Sequence, residues 1–146
     1  MAPDFEFDLA DGQKARLSDW RGKTVVLYFY PKDNTPGCTA QACDLRDNHQ
    51  ELLEKGLAVI GVSPDSLASH GKFSQKFGLP FPLVADTDTR VAEAYGVWGE
   101  KKMYGKTYMG INRTTFVIGP DGQILKVIAK VDTKAHSRQV LDALGR

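Results

Sequence analysis

Two short apolar runs constrain this chain more than any other feature. Thr24 to Tyr30 (TVVLYFY) and Leu57 to Val62 (LAVIGV) are rich in β-branched and aromatic residues. Both are too brief for a helix and too continuously apolar for an edge, so each reads as a strand buried on both faces. Pro31 closes the first run. Between the two, residues from about Cys38 to Lys55 place Leu45, Leu52 and Leu53 among charges in an imperfect helical pattern, which Gly56 ends. A strand, a helix and a second strand in this order begin a β-α-β-α rhythm.

The rhythm continues beyond the second run. Ser66 to Phe77 reads as the next helix, with Pro64-Asp65 near its start, and Phe81 to Val84 as a short strand hemmed by Pro80 and Pro82. Arg90 to Tyr95 is a short helix. Thr114 to Ile118 (TTFVI), the turn Pro120-Asp121-Gly122 and Ile124 to Val131 (ILKVIAKV) form a hairpin, and a last helix spans about Lys134 to Leu144. The stretch Phe5 to Leu17, with Asp11-Gly12 between "FEFDLA" and "KARL", adds an N-terminal β-hairpin. The expected class is α/β with a thioredoxin-like fold, a central mixed sheet with helices on both faces. No repeat or linker divides residues 1–146, so a single domain is expected.

Charge and hydropathy exclude some partners. A formal net charge of +1 gives no electrostatic basis for nucleic acid or an anionic membrane. No stretch approaches the roughly 18 apolar residues of a membrane helix, and the start, Met1-Ala2-Pro3-Asp4-Phe5, has no basic region followed by an apolar run. A cytoplasmic location is expected. There a disulfide is more often transient and catalytic than structural.

The only two cysteines, Cys38 and Cys43, have four residues between them and follow Pro36-Gly37. This spacing is neither the metal knuckle nor the redox pair with two intervening residues. Cys38 falls at the first turn of a helix, where unpaired N–H groups and the helix dipole favour an anion, hence a thiolate. Thr35 is near enough in sequence to donate to it, and an arginine from elsewhere would stabilise it further. On an unbroken helix a five-residue step separates Cα atoms by about 8.7 Å, whereas a disulfide needs less than about 7 Å. The pair therefore implies a two-state element, helical when reduced and frayed when bonded.

Pro31-Lys32-Asp33-Asn34-Thr35-Pro36-Gly37-Cys38 matches the pattern Pro-x-x-x-Thr-x-x-Cys of the peroxiredoxins. "YFYPKDNTPGCTAQACDLRD" resembles their Q-type, bacterioferritin-comigratory branch, as do "APDF", "LSDWRGK", "VIGVSPDS", "FGLPFPLVAD" and "YGKTYMGINRTTFVI", in order along the chain. The resemblance implies that Cys38 is the peroxidatic cysteine, that Cys43 is the resolving cysteine of the atypical two-cysteine version, and that Arg113 approaches the thiolate. It further implies that Thr35 hydrogen-bonds sulfur and peroxide, that Pro31 shields the pocket from water and that Gln41 supports the arginine. The implied activity is thioredoxin-dependent reduction of hydrogen peroxide and organic hydroperoxides by a monomer. No metal, haem, flavin or nicotinamide is required.

Other readings compete. A general protein thiol-disulfide oxidoreductase shares the fold but normally carries two residues between its cysteines, and a non-catalytic binding or holdase protein would be indifferent to Cys38→Ser. A metal site from Cys38, Cys43 and His49 fits no standard zinc spacing. His49, His70 and His136 read as exposed or partly buried residues without a role. Lys101, Lys102 and Lys106 read as solvated loop charge, with docking of an acidic partner the weaker alternative. Trp20, Trp98, Tyr104 and Tyr108 read as packing residues, with Trp98 to Tyr108 bordering the pocket entrance as the alternative.

Overall fold

A computed structural model describes residues 2–9 and 13–145, and the Asp11-Gly12 turn of the N-terminal hairpin lies outside the described residues. Its strands are β1 (Glu6–Asp8) and β2 (Lys14–Arg16), followed by a 3-10 turn, Leu17–Trp20. The first apolar run is β3 (Thr24–Phe29) and the second is β4 (Leu57–Ser63). Every residue of both strands is buried. They pair in parallel, Leu27 opposite Ile60, and a five-stranded sheet grows around them in the order β5-β4-β3-β8-β9. Here β5 is Leu83–Ala85, parallel to β4, while β8 (Thr114–Ile118) and β9 (Ile124–Ile128) add antiparallel neighbours beside β3.

The alternation of side chains along β3 divides the interior into two layers. Val25, Leu27 and Phe29 face one core with Phe5, Phe7 and Leu17 of the N-terminal segment, Val91 and Ala92 of helix α4 (Arg90–Ala94), and Tyr95. Val26 and Tyr28, with Tyr30 beyond the strand, face the other. That second core receives Cys38, Ala42 and Leu45 of α1 (Pro36–Asp47), Leu52 of α2 (His49–Glu54), Phe73 of α3 (Leu67–Phe77) and Val140 and Leu141 of α5 (His136–Ala143). Helices thus cover both faces, as expected. Gly61 in β4 lies under Tyr28: a Cβ there would stand 2.8 Å from Tyr28 Cζ and 2.8 Å from Leu83 Cδ2.

The structure departs from the sequence reading in two places. The helix expected from Cys38 to Lys55 starts two residues earlier and divides at Asn48, whose Nδ2 donates to the Asp44 carbonyl at 2.9 Å and whose ψ is 9°. An asparagine side chain that competes for backbone acceptors explains the break. Between α4 and β8, unanticipated strands β6 (Trp98–Met103) and β7 (Lys106–Ile111) form an antiparallel hairpin. Its two-residue turn places Tyr104 at φ 53° and Gly105 at φ 78°, both in the left-handed region that such a turn demands.

One contact ties two helices. The N-cap of α5, Ala135, has no side-chain acceptor, and the Ser137 N–H donates instead to Asp44 Oδ2 of α1 at 2.7 Å. A carboxylate at a helix N-terminus satisfies an orphan donor and complements the dipole.

Candidate active site

The loop from Pro31 to Thr35 carries the chain from β3 into α1. Asn34 turns it at φ 60°, a left-handed conformation that asparagine tolerates. Thr35 is the extended N-cap, and Pro36 occupies the first helical position, where its missing N–H costs nothing. Cys38 then lies in the first turn of α1, only 1% exposed. Cys43 lies in the same unbroken helix, half-buried, and both sulfurs are free thiols. At ideal helical geometry their Cα atoms are about 8.7 Å apart, beyond disulfide reach.

Arg113 comes from the other end of the fold. It sits between β7 and β8, and the β6–β7 hairpin fixes its approach: the Asn112 N–H donates to the Val97 carbonyl at 2.8 Å, and Lys101 Nζ donates to the Ile111 carbonyl at 2.7 Å. From there Nη2 donates to Cys38 Sγ at 3.1 Å, and Nη1 donates to Gln41 Oε1 at 2.6 Å. Gln41 is fully buried, one turn after Cys38, so the helix presents sulfur and amide oxygen together to one planar fork. Gly37 leaves room for that fork, since a Cβ on it would lie 3.3 Å from Nη2. A buried sulfur at a helix start, facing a guanidinium, can attack a neutral electrophile while the same donors receive the charge that moves to the leaving atom.

The remaining predicted residues are placed as follows. Pro31 is half-buried at the start of the loop. Thr35, also half-buried, directs its hydroxyl proton to the Lys32 carbonyl at 2.9 Å rather than to the sulfur, which corrects the expectation of a donor to Cys38. An acceptor three residues back within its own turn captures it, leaving the Thr35 oxygen to accept. His49 does not join the cysteines in a metal cluster among the described residues; it opens α2, and its ring lies 6.0 Å from that of Phe81. The three lysines stand on the β6–β7 hairpin, where Lys101 is bonded to backbone, not solvated loop charge. Trp20 and Trp98 pack against the first core, but Tyr104 is 97% exposed at the hairpin tip and Tyr108 is also exposed, so neither is a packing residue.

Two histidines correct the sequence reading more sharply. His70 and His136 are buried, because both ring nitrogens of each find partners. His70 bonds Asp33 Oδ2 and the Val84 carbonyl. His136 bonds Thr115 Oγ1 at 2.8 Å and Gln139 Oε1 at 2.9 Å. Burial pushes the His136 ring below its ordinary range, which keeps it neutral. Asp33 stands inside the Pro-x-x-x-Thr-x-x-Cys stretch and could have been singled out as an acid buried beside a nucleophile, but apart from Tyr30 its partners, Asp65, Ser69 and His70, are dozens of residues away in sequence.

The profile of the AhpC/TSA family matches residues 1–127. Peroxiredoxin Bcp of Bacillus subtilis (strain 168) is 50% identical over 143 residues, covering 98% of this chain and 91% of that protein. Peroxiredoxin Bcp of Escherichia coli (strain K12) is 46% identical over 144 residues, 99% and 92% of the two chains. Among solved structures, a mutant of Xanthomonas campestris Peroxiredoxin Q superposes with a TM-score of 0.89 at 42% identity, over 97% of this chain and 90% of that one. The Xanthomonas campestris bacterioferritin comigratory protein, in a structure addressing its alkyl peroxide reduction activity, gives 0.89 at 41% identity, with the same coverage. With near-complete coverage and a matching fold, the chain belongs to the AhpC/TSA family and is a peroxiredoxin of the Q-type, bacterioferritin-comigratory branch.

Proposed function

We propose that this peroxiredoxin is a thioredoxin-dependent thiol peroxidase acting on hydrogen peroxide and organic hydroperoxides, with residues 1–146 working as one domain and one monomer in the cytoplasm. The observation that carries the reading is the Arg113 fork, 3.1 Å from Cys38 Sγ and 2.6 Å from Gln41 Oε1. The Cys38 thiolate attacks the terminal peroxide oxygen; the S–O bond forms as the O–O bond breaks, and the departing oxygen takes a proton to leave as water or an alcohol. Arg113 and the N–H groups of the first turn stabilise the charge passing to that oxygen. The Thr35 oxygen accepts from the hydroperoxide O–H, and Pro31 limits access of water.

Cys43 completes the cycle. Once α1 unwinds between the two residues, its sulfur displaces hydroxide from the Cys38 sulfenic acid, the S–S bond forms and water leaves. The two thiols have then supplied two electrons to one peroxide. An external dithiol protein, thioredoxin, returns them by exchange through a mixed disulfide. No helix among the described residues is long and apolar enough to cross a membrane, and the cycle needs none.

The test is peroxide consumption coupled to thioredoxin and thioredoxin reductase. Cys38→Ser abolishes turnover. Cys43→Ser permits one stoichiometric oxidation that small thiols, but not thioredoxin, complete efficiently. Turnover by Cys38→Ser, or dithiol exchange with protein substrates in the absence of peroxide at a comparable rate, refutes the assignment in favour of a general oxidoreductase.

A further inference from the structure

Asp33 is buried in the loop that delivers α1, yet neither its carboxylate nor its amide touches α1. Oδ1 accepts from the Tyr30 hydroxyl at 2.6 Å; Oδ2 accepts from the Ser69 hydroxyl at 2.8 Å and faces His70 Nδ1 at 2.7 Å. The Asp33 N–H donates to Asp65 Oδ2 at 2.7 Å, which also accepts from the Ser63 hydroxyl at 2.7 Å. On its far side His70 Nε2 meets the Val84 carbonyl at 2.8 Å. One loop residue is thereby fastened to β3's extension, the end of β4, the first turn of α3 and, through the imidazole, β5.

Donor atoms of Asp33, Asp65 and His70 lie within 4.8 Å of one another, the spacing of a metal cluster. Each is already engaged with a protein partner, and His70 spends both nitrogens on oxygen acceptors, so the cluster reads as a clasp. Its place gives it a purpose. Asp33 precedes the left-handed Asn34 by one residue and the N-cap Thr35 by two. The proposed cycle melts and reforms α1 at every turnover. Asp33, held by Tyr30, Asp65, Ser69 and His70 and not by α1, stays in place while the helix opens, and keeps the start from which it rewinds; nucleation is the costly part of helix formation.

We infer that Asp33 and His70 are positioning residues for the peroxide-reducing step, holding Thr35 and the first turn of α1 in register with Arg113 while leaving the disulfide-forming step untouched. This rests on the peroxidase reading above. The step that needs the assembled pocket depends on the clasp, since misplacement near 1 Å costs about a hundredfold in rate. The step that needs the helix unwound does not.

Two replacements of His70 separate its two contacts. His70→Asn keeps an amide N–H where Nδ1 faces Asp33, and His70→Gln keeps one where Nε2 faces Val84. Rapid mixing with peroxide, thiol trapping and intact mass resolve first oxidation from disulfide formation. First oxidation by His70→Asn should stay within about threefold of wild type and that of His70→Gln should fall about tenfold or more, as expected for loss of a hydrogen bond to a charged group. Disulfide formation should remain within about twofold in both. Wild-type first oxidation in His70→Gln, equal slowing in the two variants, or both steps slowing together overturns the inference. If His70→Gln does not fold, Ser69→Ala decides: half-buried, it removes one bond to Asp33 and should slow first oxidation about threefold, and an unchanged rate overturns the inference. A wild-type Cys38 that does not react with peroxide refutes the peroxidase reading instead, which keeps the two failures apart.

Discussion

Substituting Ala40 by glycine tests whether disulfide formation is limited by opening α1. Ala40 lies between Cys38 and Cys43 on the unbroken helix and is half-buried, so the change removes little packing. Its main effect is on the backbone: glycine in a helix interior costs roughly 0.5–1 kcal/mol relative to alanine. Bringing the Cα atoms from about 8.7 Å to under about 7 Å requires those turns to come apart. The penalty therefore falls on the closed state and is relieved in the open one. With RT near 0.59 kcal/mol, the opening equilibrium rises about two- to fivefold, and the rate of disulfide formation rises with it when closure of the S–S bond follows a rapid opening. The assay is quench-flow oxidation with one equivalent of peroxide, trapping of free thiols and intact mass at each time. Sulfenic acid should persist for a shorter time in Ala40→Gly. Under excess peroxide the same variant should accumulate less sulfinic acid, because the sulfenic acid is consumed sooner. An unchanged or slower disulfide step in a variant whose local helix stability is shown by hydrogen exchange to be reduced refutes the unwinding argument.

Three further outcomes follow from particular contacts. Arg113→Met removes the donor to Cys38 Sγ and should lower the second-order rate with peroxide by about 10- to 150-fold, the range of a hydrogen bond to a charged group; Arg113→Lys, whose single ammonium cannot serve sulfur and Gln41 together, should fall between. Gly61→Ala forces a methyl into Tyr28 and Leu83, both 2.8 Å from the added Cβ, and should destabilise the protein by about 1–3 kcal/mol in denaturant titration. Acidification should reduce stability through His136. Its folded value lies below the unfolded value of about 6.5, so the unfolded chain binds the extra proton. The contribution is complete above that pH and declines as pH falls from it towards the folded value, at most about 1.4 kcal/mol per pH unit. His136→Gln should flatten that limb, and a stability profile of wild type that is level between pH 7 and 5 refutes the assignment.

Much of the sheet was legible because burial on both faces leaves a continuous apolar run, and β3 and β4 are such runs. Helix α3 was equally plain: the Ser66 hydroxyl accepts from the Ser69 N–H at its start, and Gly78 adopts φ 59° at its end. The β6–β7 hairpin was not. Its strands, WGEKKM and KTYMGI, lack alternation, the second is mostly exposed, and Tyr-Gly at the turn is outside the usual Asn-Gly or Asp-Gly signal. Cys38, Gln41 and Arg113, and the contact of the arginine with both of the others, were readable only through the resemblance, because the contact depends on a helix and a strand junction meeting in space. The partnership of Asp33 with His70 had no local signature at all. Thirty-seven residues separate them, and each alone looks like an ordinary surface residue.

The carboxylate that holds the start of α5 belongs to Asp44, next in sequence to Cys43. On the proposed cycle, an opening that carries Cys43 toward Cys38 also withdraws the anchor from a helix that takes no part in the chemistry. Electron flow at the sulfurs is thereby reported at a distance: the oxidised protein should release its final helical segment to proteases and solvent exchange, and reduction should fasten it again.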